Sequence, residues 1–164
     1  MSAEHHILPP AADVPNSALP LVVVRDAVPD PAADATHALL RTHGWQGTWT
    51  YTVYDFWHFH VTGHEVLICV AGSADIGFGG DDGIVLAMVP GVGVVVPAGV
   101  GHKRLSGTSD FAVVGGYPPG QSGAITRPGE IDMAEAVKAI ETLRLPERDP
   151  FTGERPGCLA VWAA

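Results

Sequence analysis

Between Trp45 and Tyr117 the chain is a succession of short runs rich in Val, aromatic residues and glycine, each cut off by turn-forming residues, and this rhythm constrains the fold more than any other feature. Such runs are too short for free-standing helices, whereas β-branched and aromatic side chains suit a pleated, half-buried surface. Strands are predicted at 48–60, 65–70, 73–78, 84–89, 93–96 and 111–117. The turns between them are Gly79-Gly80-Asp81-Asp82-Gly83, Pro90-Gly91 and Pro97-Ala98-Gly99, where glycine supplies positive φ and proline fixes the approach. Strands at this spacing indicate a β-sandwich or barrel, with a core at about residues 48–117.

The flanks read differently. Residues 1–20 carry four prolines and no sustained periodicity, which predicts a loosely attached arm with His5 and His6 in solvent. A first strand is predicted at 21–24. Asp30-Pro31 then offers an N-cap followed by proline at the first helical position; Arg41 and His43 lie in the last turn, Gly44 ends the helix, and Leu39 and Leu40 face the core. A second helix is predicted at 131–143, with Ile131, Ala134, Val137, Ile140 and Leu143 in one stripe and Pro146 as the stop. The tail 159–162 is apolar enough to dock on the body. Residues 21–164 thus read as one domain, all-β at its centre with flanking helices.

Charge and cysteine usage narrow the partners. A net charge of −9 with no basic cluster beyond Lys103-Arg104 argues against nucleic acid and against a polybasic membrane surface. No apolar run is long enough to span a membrane, and the N-terminus lacks a secretory pattern. Cys69 and Cys158 are far apart and outside any C-x-x-C pair, which fits a reducing cytoplasm and makes a thiolate metal site or a disulfide framework improbable.

The chemistry lies in His58-Phe-His60, Glu65 and His102. Alternation along a strand points His58 and His60 to the same side, and a turn at 61–63 returns Glu65 beside them on the next strand. The Pro97-Ala98-Gly99 turn delivers His102. Three imidazoles and a carboxylate suit a divalent transition metal with coordination positions left open, and burying four such groups without a metal would be costly. Beside Glu65, His64 is directed outward by alternation; a bulge at the turn would rotate it inward as a further ligand, and a hydrogen-bonding role near the ligands is the other reading. His37 and His43, on the first predicted helix, read as surface residues.

These residues resemble the two signature motifs of the cupin superfamily. The first reads His58-x-His60, four residues, Glu65, six residues, Gly72; the second reads Gly91, five residues, Pro97-x-Gly99, two residues, His102. Thr52 stands where the family usually has glycine, and Ser106 where it usually has asparagine, neither at a ligand position. The flanks look like those of small uncharacterised bacterial single-domain cupins. The resemblance implies a double-stranded β-helix, or jelly-roll, barrel that binds one divalent ion (Fe, Mn, Ni or Zn) through His58, His60, Glu65 and His102.

Continued alternation nominates Tyr54, Phe56, Leu67, Cys69 and Arg104 as pocket walls, with Tyr117 and Trp49 at the mouth. Arg104 reads either as a clamp for a substrate carboxylate or as an edge residue without a ligand. Tyr54 and Arg104 are the candidates for positioning a substrate. The implied function is a metal-dependent enzyme of dioxygenase, decarboxylase or isomerase type acting on a small organic acid or enediol. The competing reading is a non-catalytic module that binds or senses a sugar or organic acid; Asp55 should face outward, so no second carboxylate is available as a base. An apolar strand edge suggests a homodimer.

Overall fold

Consecutive β-branched residues at Val22-Val23-Val24, Val94-Val95-Val96 and Val113-Val114 require strands covered on both faces, and the architecture supplies that cover. The computed structural model describes residues 2–163. Its strands are β1 (Ala3–Leu8), β2 (Ser17–Val24), β3 (Gln46–Tyr51), β4 (Glu65–Ala71), β5 (Ala74–Phe78), β6 (Ile84–Met88), β7 (Gly93–Val96), β8 (His102–Gly107) and β9 (Ala112–Tyr117). They form a six-stranded sheet in the order β1-β2-β7-β4-β9-β3 and a three-stranded sheet in the order β6-β5-β8, with every pair antiparallel.

Alternation along β4 sorts the core. Leu67 and Cys69 point between the sheets and meet Ile76, Phe78, Met88, Val94, Val96 and Val113. Val66 and Ile68 point to the other face, where Val22, Val24, Val95 and Val114 pack with Leu40, Trp45, Phe151, Leu159 and Trp162. Leu40 belongs to α1 (Ala33–Thr42), and the tail docks as expected: a single 3-10 turn (Gly157–Leu159) and the short helix α3 (Ala160–Ala163) place Trp162 where its indole N–H donates to Pro20 O at 2.8 Å. A helix α2 (Met133–Glu141) lies between α1 and α3 in the chain.

Several expectations need correction. The hydrogen bonding makes two sheets and not a closed barrel. One reason is local: the strand predicted at 48–60 ends at Tyr51, and the chain from Thr52 to Trp57 bulges beside β8, since Arg104 N–H bonds Tyr54 O while His58 and His102 form the next bridge. Residues 3–8 are not a loose arm but the edge strand β1, paired from Ala3↔Val24 to Leu8↔Ser17. Its polar Glu4-His5-His6 gave no apolar period, and an edge strand needs none. Strand β8 was also missed, because its second half, Leu105-Ser106-Gly107, is exposed and lacks an apolar stripe. Helix α1 begins two residues late: Asp30 accepts the Ala32 N–H in a turn, and Ala32 is the N-cap without a side-chain bond. Helix α2 is shorter than the predicted 131–143 and starts after Asp132, which caps it by accepting the Glu135 N–H; Ala136 is its buried residue and Val137 is 42% exposed, so the predicted stripe is only partly covered.

Candidate metal centre

The end of the sandwich where β4 and β8 begin gathers the polar residues. His58 and His102 bridge each other through paired backbone bonds, His58 N–H to His102 O at 3.3 Å and His102 N–H to His58 O at 2.9 Å. His60 is reached by the Pro97 turn, where Gly99, at φ +94, donates its N–H to His60 O at 2.8 Å. A residue that sequence reasoning passed over steadies this corner. Asn16 is buried and donates to Pro9 O and Gly79 O while its Oδ1 accepts the Gly101 N–H, one residue before His102.

The side chains converge. His58, His60 and His102 are each at most 3% exposed, and one ring nitrogen of each lies within 4.8 Å of the others. Glu65 Oε1 lies 3.2 Å from His60 Nε2 and 3.3 Å from His102 Nε2. Every Nδ1 of the three faces a backbone carbonyl at 3.0 Å: His58 that of Phe56, His60 that of Ala124, His102 that of Val100. A carbonyl can only accept, so each Nδ1 carries the proton and each neutral ring presents a bare Nε2 lone pair. Three ring nitrogens and a carboxylate oxygen thus gather in a buried space, an arrangement that could hold a metal ion. His60 Nε2 has no hydrogen-bond partner of its own.

Electrostatics distinguish the rings. Burial and then the neighbouring His102 hold His58 far below the usual imidazole value, at about 3, so it stays neutral. Burial also opposes charge on His60, but the facing Glu65 carboxylate outweighs it and raises the value. Burial works against the Glu65 anion as well; His60 and His102 overcome it and leave the carboxyl well below the ordinary carboxylate range. The site keeps the Glu65 negative charge and a neutral His58, while Glu65 draws a proton toward His60 that a bound cation would replace; imidazoles and a carboxylate are a set for borderline transition ions.

A cavity of about 420 Å³ opens onto these groups, walled by Trp49, Tyr51, Tyr54, Leu67, Tyr117 and Ile125. Of the predicted wall residues, Tyr54, Leu67 and Tyr117 line it. Phe56, Cys69 and Arg104 do not: Phe56 stacks on Tyr54 and lies under the Arg127 guanidinium, Cys69 is in the inter-sheet core, and Arg104 spends Nε–H on Val53 O. Arg104 therefore has no place as a carboxylate clamp in this cavity. His64 faces outward, its Nδ1 accepting the Ala98 N–H and its ring 5.0 Å from Trp162. His37 bonds Thr48 and Thr50, and His43 bonds Pro150 O, both away from the cluster.

Sequence reasoning also missed the strap at 121–127. It pairs Thr126 with Phe59 in both directions, sets Ala124 O on His60 and brings Gly123 and Ile125 to the cavity. The bonds that seat it on Phe59 and His60 are made by backbone groups, which carry no side-chain pattern.

Comparison with known proteins adds a relative. The chain is 38% identical over 158 residues, 96% of its own length and 94% of the relative's, to the uncharacterized protein YjlB of Bacillus subtilis (strain 168). No family model matches. Among solved structures, a chain from the crystal structures of the DMSP lyases RdDddP and RnDddQII aligns at 18% identity with a TM-score of 0.36, over 68% of this chain and 45% of that one, so this chain spans less than half of that structure.

Proposed function

The chain belongs to the family of the Bacillus subtilis protein YjlB, and from the site it carries we propose that it is a metal-dependent protein of cupin type acting on a small organic molecule. The observation that carries this reading is the convergence of three buried rings whose Nδ1–H groups are committed to carbonyls: one ring nitrogen of each lies within 4.8 Å of the others, and the Nε2 atoms of His60 and His102 lie 3.2 Å and 3.3 Å from Glu65 Oε1. His58, His60, His102 and Glu65 would hold one divalent ion, Fe, Mn, Ni or Zn. Bound there, such an ion supplies Lewis acidity and, if redox-active, the means for dioxygen chemistry. The chain's own contribution is to keep His58 neutral by burial, exclude bulk water and offer the aromatic walls Trp49, Tyr51 and Tyr54 to a substrate. Dioxygenase, decarboxylase and isomerase reactions on an acid or enediol all fit these parts. Since no arginine or lysine among the described residues lines the cavity, an anionic group would depend on the metal for its charge partner.

Elemental analysis of untagged protein, as purified and after reconstitution with each of the four ions, tests the reading. One ion per chain is expected, lost in His58→Ala, His60→Ala and His102→Ala and kept in His37→Ala. An absence of tight binding to any of the four would refute it. A second reading, a non-catalytic binding or sensing module, draws on one observation: among the described residues Glu65 is the sole carboxylate lining the cavity, so no separate base stands ready there. An unaltered small molecule co-purifying with the metal-loaded protein would favour that reading.

We also propose a homodimer formed through β1, the outermost strand of its sheet, where Ile7 is 70% exposed. Light scattering at micromolar concentration should give twice the chain mass, and Ile7→Lys should shift it toward the monomer; a monomeric wild type would end the proposal.

A further inference from the structure

The carboxylate at the site is held from behind by two aromatic residues. Tyr117, on β9, donates its hydroxyl proton to Glu65 Oε2 at 2.8 Å. Trp49, on β3, donates its indole N–H to that same hydroxyl oxygen at 2.7 Å. A phenol has a single proton, and a carboxylate can only accept, so the direction of the chain is fixed: Trp49 to Tyr117 to Glu65. Glu65 Oε2 is thereby engaged, while Oε1 alone faces the Nε2 atoms of His60 and His102.

The backbone is shaped around this pair. Trp49 sits directly opposite Gly115 in the β3/β9 register, and a side chain at 115 would overlap the indole ring. On the other side, Gly123 of the strap lies against the Tyr117 hydroxyl, and a side chain there would collide with the phenol oxygen itself. Two positions from different segments thus lack a Cβ where the hydrogen-bonded chain passes. Plain core packing needs a ring at 117; it does not need a hydroxyl, nor an empty place beside it.

We propose that Tyr117 and Trp49 are positioning residues that hold Glu65 as a one-oxygen donor, with Oε1 offered to the metal and Oε2 withheld. The inference rests on the metal-centre reading above. Tyr117 acts through Glu65; its proton is spent on the carboxylate and its oxygen accepts from Trp49, which leaves it a poor acid or base toward a substrate. Coordination positions that a chelating carboxylate would fill stay open toward the cavity.

Cobalt(II) is a suitable probe, because its visible absorption reports coordination number and donor set independently of any enzymatic activity. Wild type, His58→Ala, Tyr117→Phe, Trp49→Phe and Gly123→Ala are titrated with the metal alone. Loss of a partner that orients a ligand typically weakens metal binding by about 10–100-fold, and Tyr117→Phe is expected to fall in that range with an altered cobalt spectrum. Trp49→Phe should move both readouts the same way by less. Gly123→Ala, which keeps the phenol but displaces it, should reproduce the Tyr117→Phe spectrum; if that variant does not fold, the other two decide. If wild type binds cobalt, His58→Ala does not, and Tyr117→Phe matches wild type in affinity and spectrum, the positioning role is overturned while the metal centre stands. If wild type does not bind cobalt, both readings fall.

Discussion

The two sheets solve the same problem in different ways. In the six-stranded sheet the central strands are buried on both faces, and β4, β7 and β9 read as continuous apolar runs. In the three-stranded sheet only the inner face is covered: Asp75, Val85, Ala87 and Leu105 point to solvent between the inward residues Ile76, Leu86 and Met88. A sheet covered twice is specified by hydrophobicity alone, a sheet covered once by alternation. The site uses both. Glu65 opens β4 of the larger sheet, while His102 opens β8 of the smaller one and pairs with Phe78 of β5. The strands that carry Glu65 and His102 are thus anchored in a thick core on one side and a thin one on the other, and on the thin side Asn16 bonds Gly79 O and Gly101 N–H.

The largest expected effect tests that contrast in stability. Ile68 on β4 is fully buried under the outer layer, whereas Val85 on β6 is 62% exposed. Ile68→Ala should cost about 2–5 kcal/mol, the usual range for a core truncation that leaves a cavity. Val85→Ala should stay within about 0.5 kcal/mol, as surface substitutions do. Urea unfolding of metal-free protein at pH 7 measures both. Comparable losses at the two positions would mean that the outer face of the smaller sheet is covered in solution, and would break the comparison.

How much of this was legible in the sequence follows from the same difference. The doubly covered strands announced themselves through Val-rich runs, and the candidate ligands His58, His60, Glu65 and His102 through their spacing. What escaped was held by other means. Strand β1 pairs through its backbone at an edge, so its polar side chains carried no signal. Strand β8 has only its beginning in the core. The bulge from Thr52 to Trp57 rotates the chain before His58, which is why counting back by twos placed Tyr54 in the cavity wall correctly but also placed Phe56 there. For Arg104 the face was inferred without its partner: the Val53 carbonyl, brought close by that bulge, takes the guanidinium N–H. Alternation reaches as far as a strand is regular and fails at the first irregularity.

A smaller effect sharpens the comparison through pH, using histidines on opposite faces of the larger sheet. His64 lies on its outer face among Trp162 and the tail, and burial depresses it to about 4; His58 lies in the site, depressed to about 3 by burial and by His102. Both have folded values below the unfolded value of 6.5. As pH falls below 6.5 the unfolded chain takes up protons that the folded chain refuses, so the stability these rings contribute is present above 6.5 and is lost toward 4 and 3. Each such ring steepens the decline by up to about 1.4 kcal/mol per pH unit. His60, raised by Glu65, has the opposite sign: its contribution is present below 6.5 and fades as pH rises through its folded value. In chelator, wild type should therefore lose stability between pH 6.5 and 4, and His64→Gln, whose amide oxygen can take over the Ala98 N–H, should lose it less steeply while His58 keeps part of the slope. Urea unfolding across pH 4 to 7.5 reads the difference. Equal slopes for the two proteins would mean that His64 protonates freely in the folded state, and that the outer cover of the larger sheet opens at the tail.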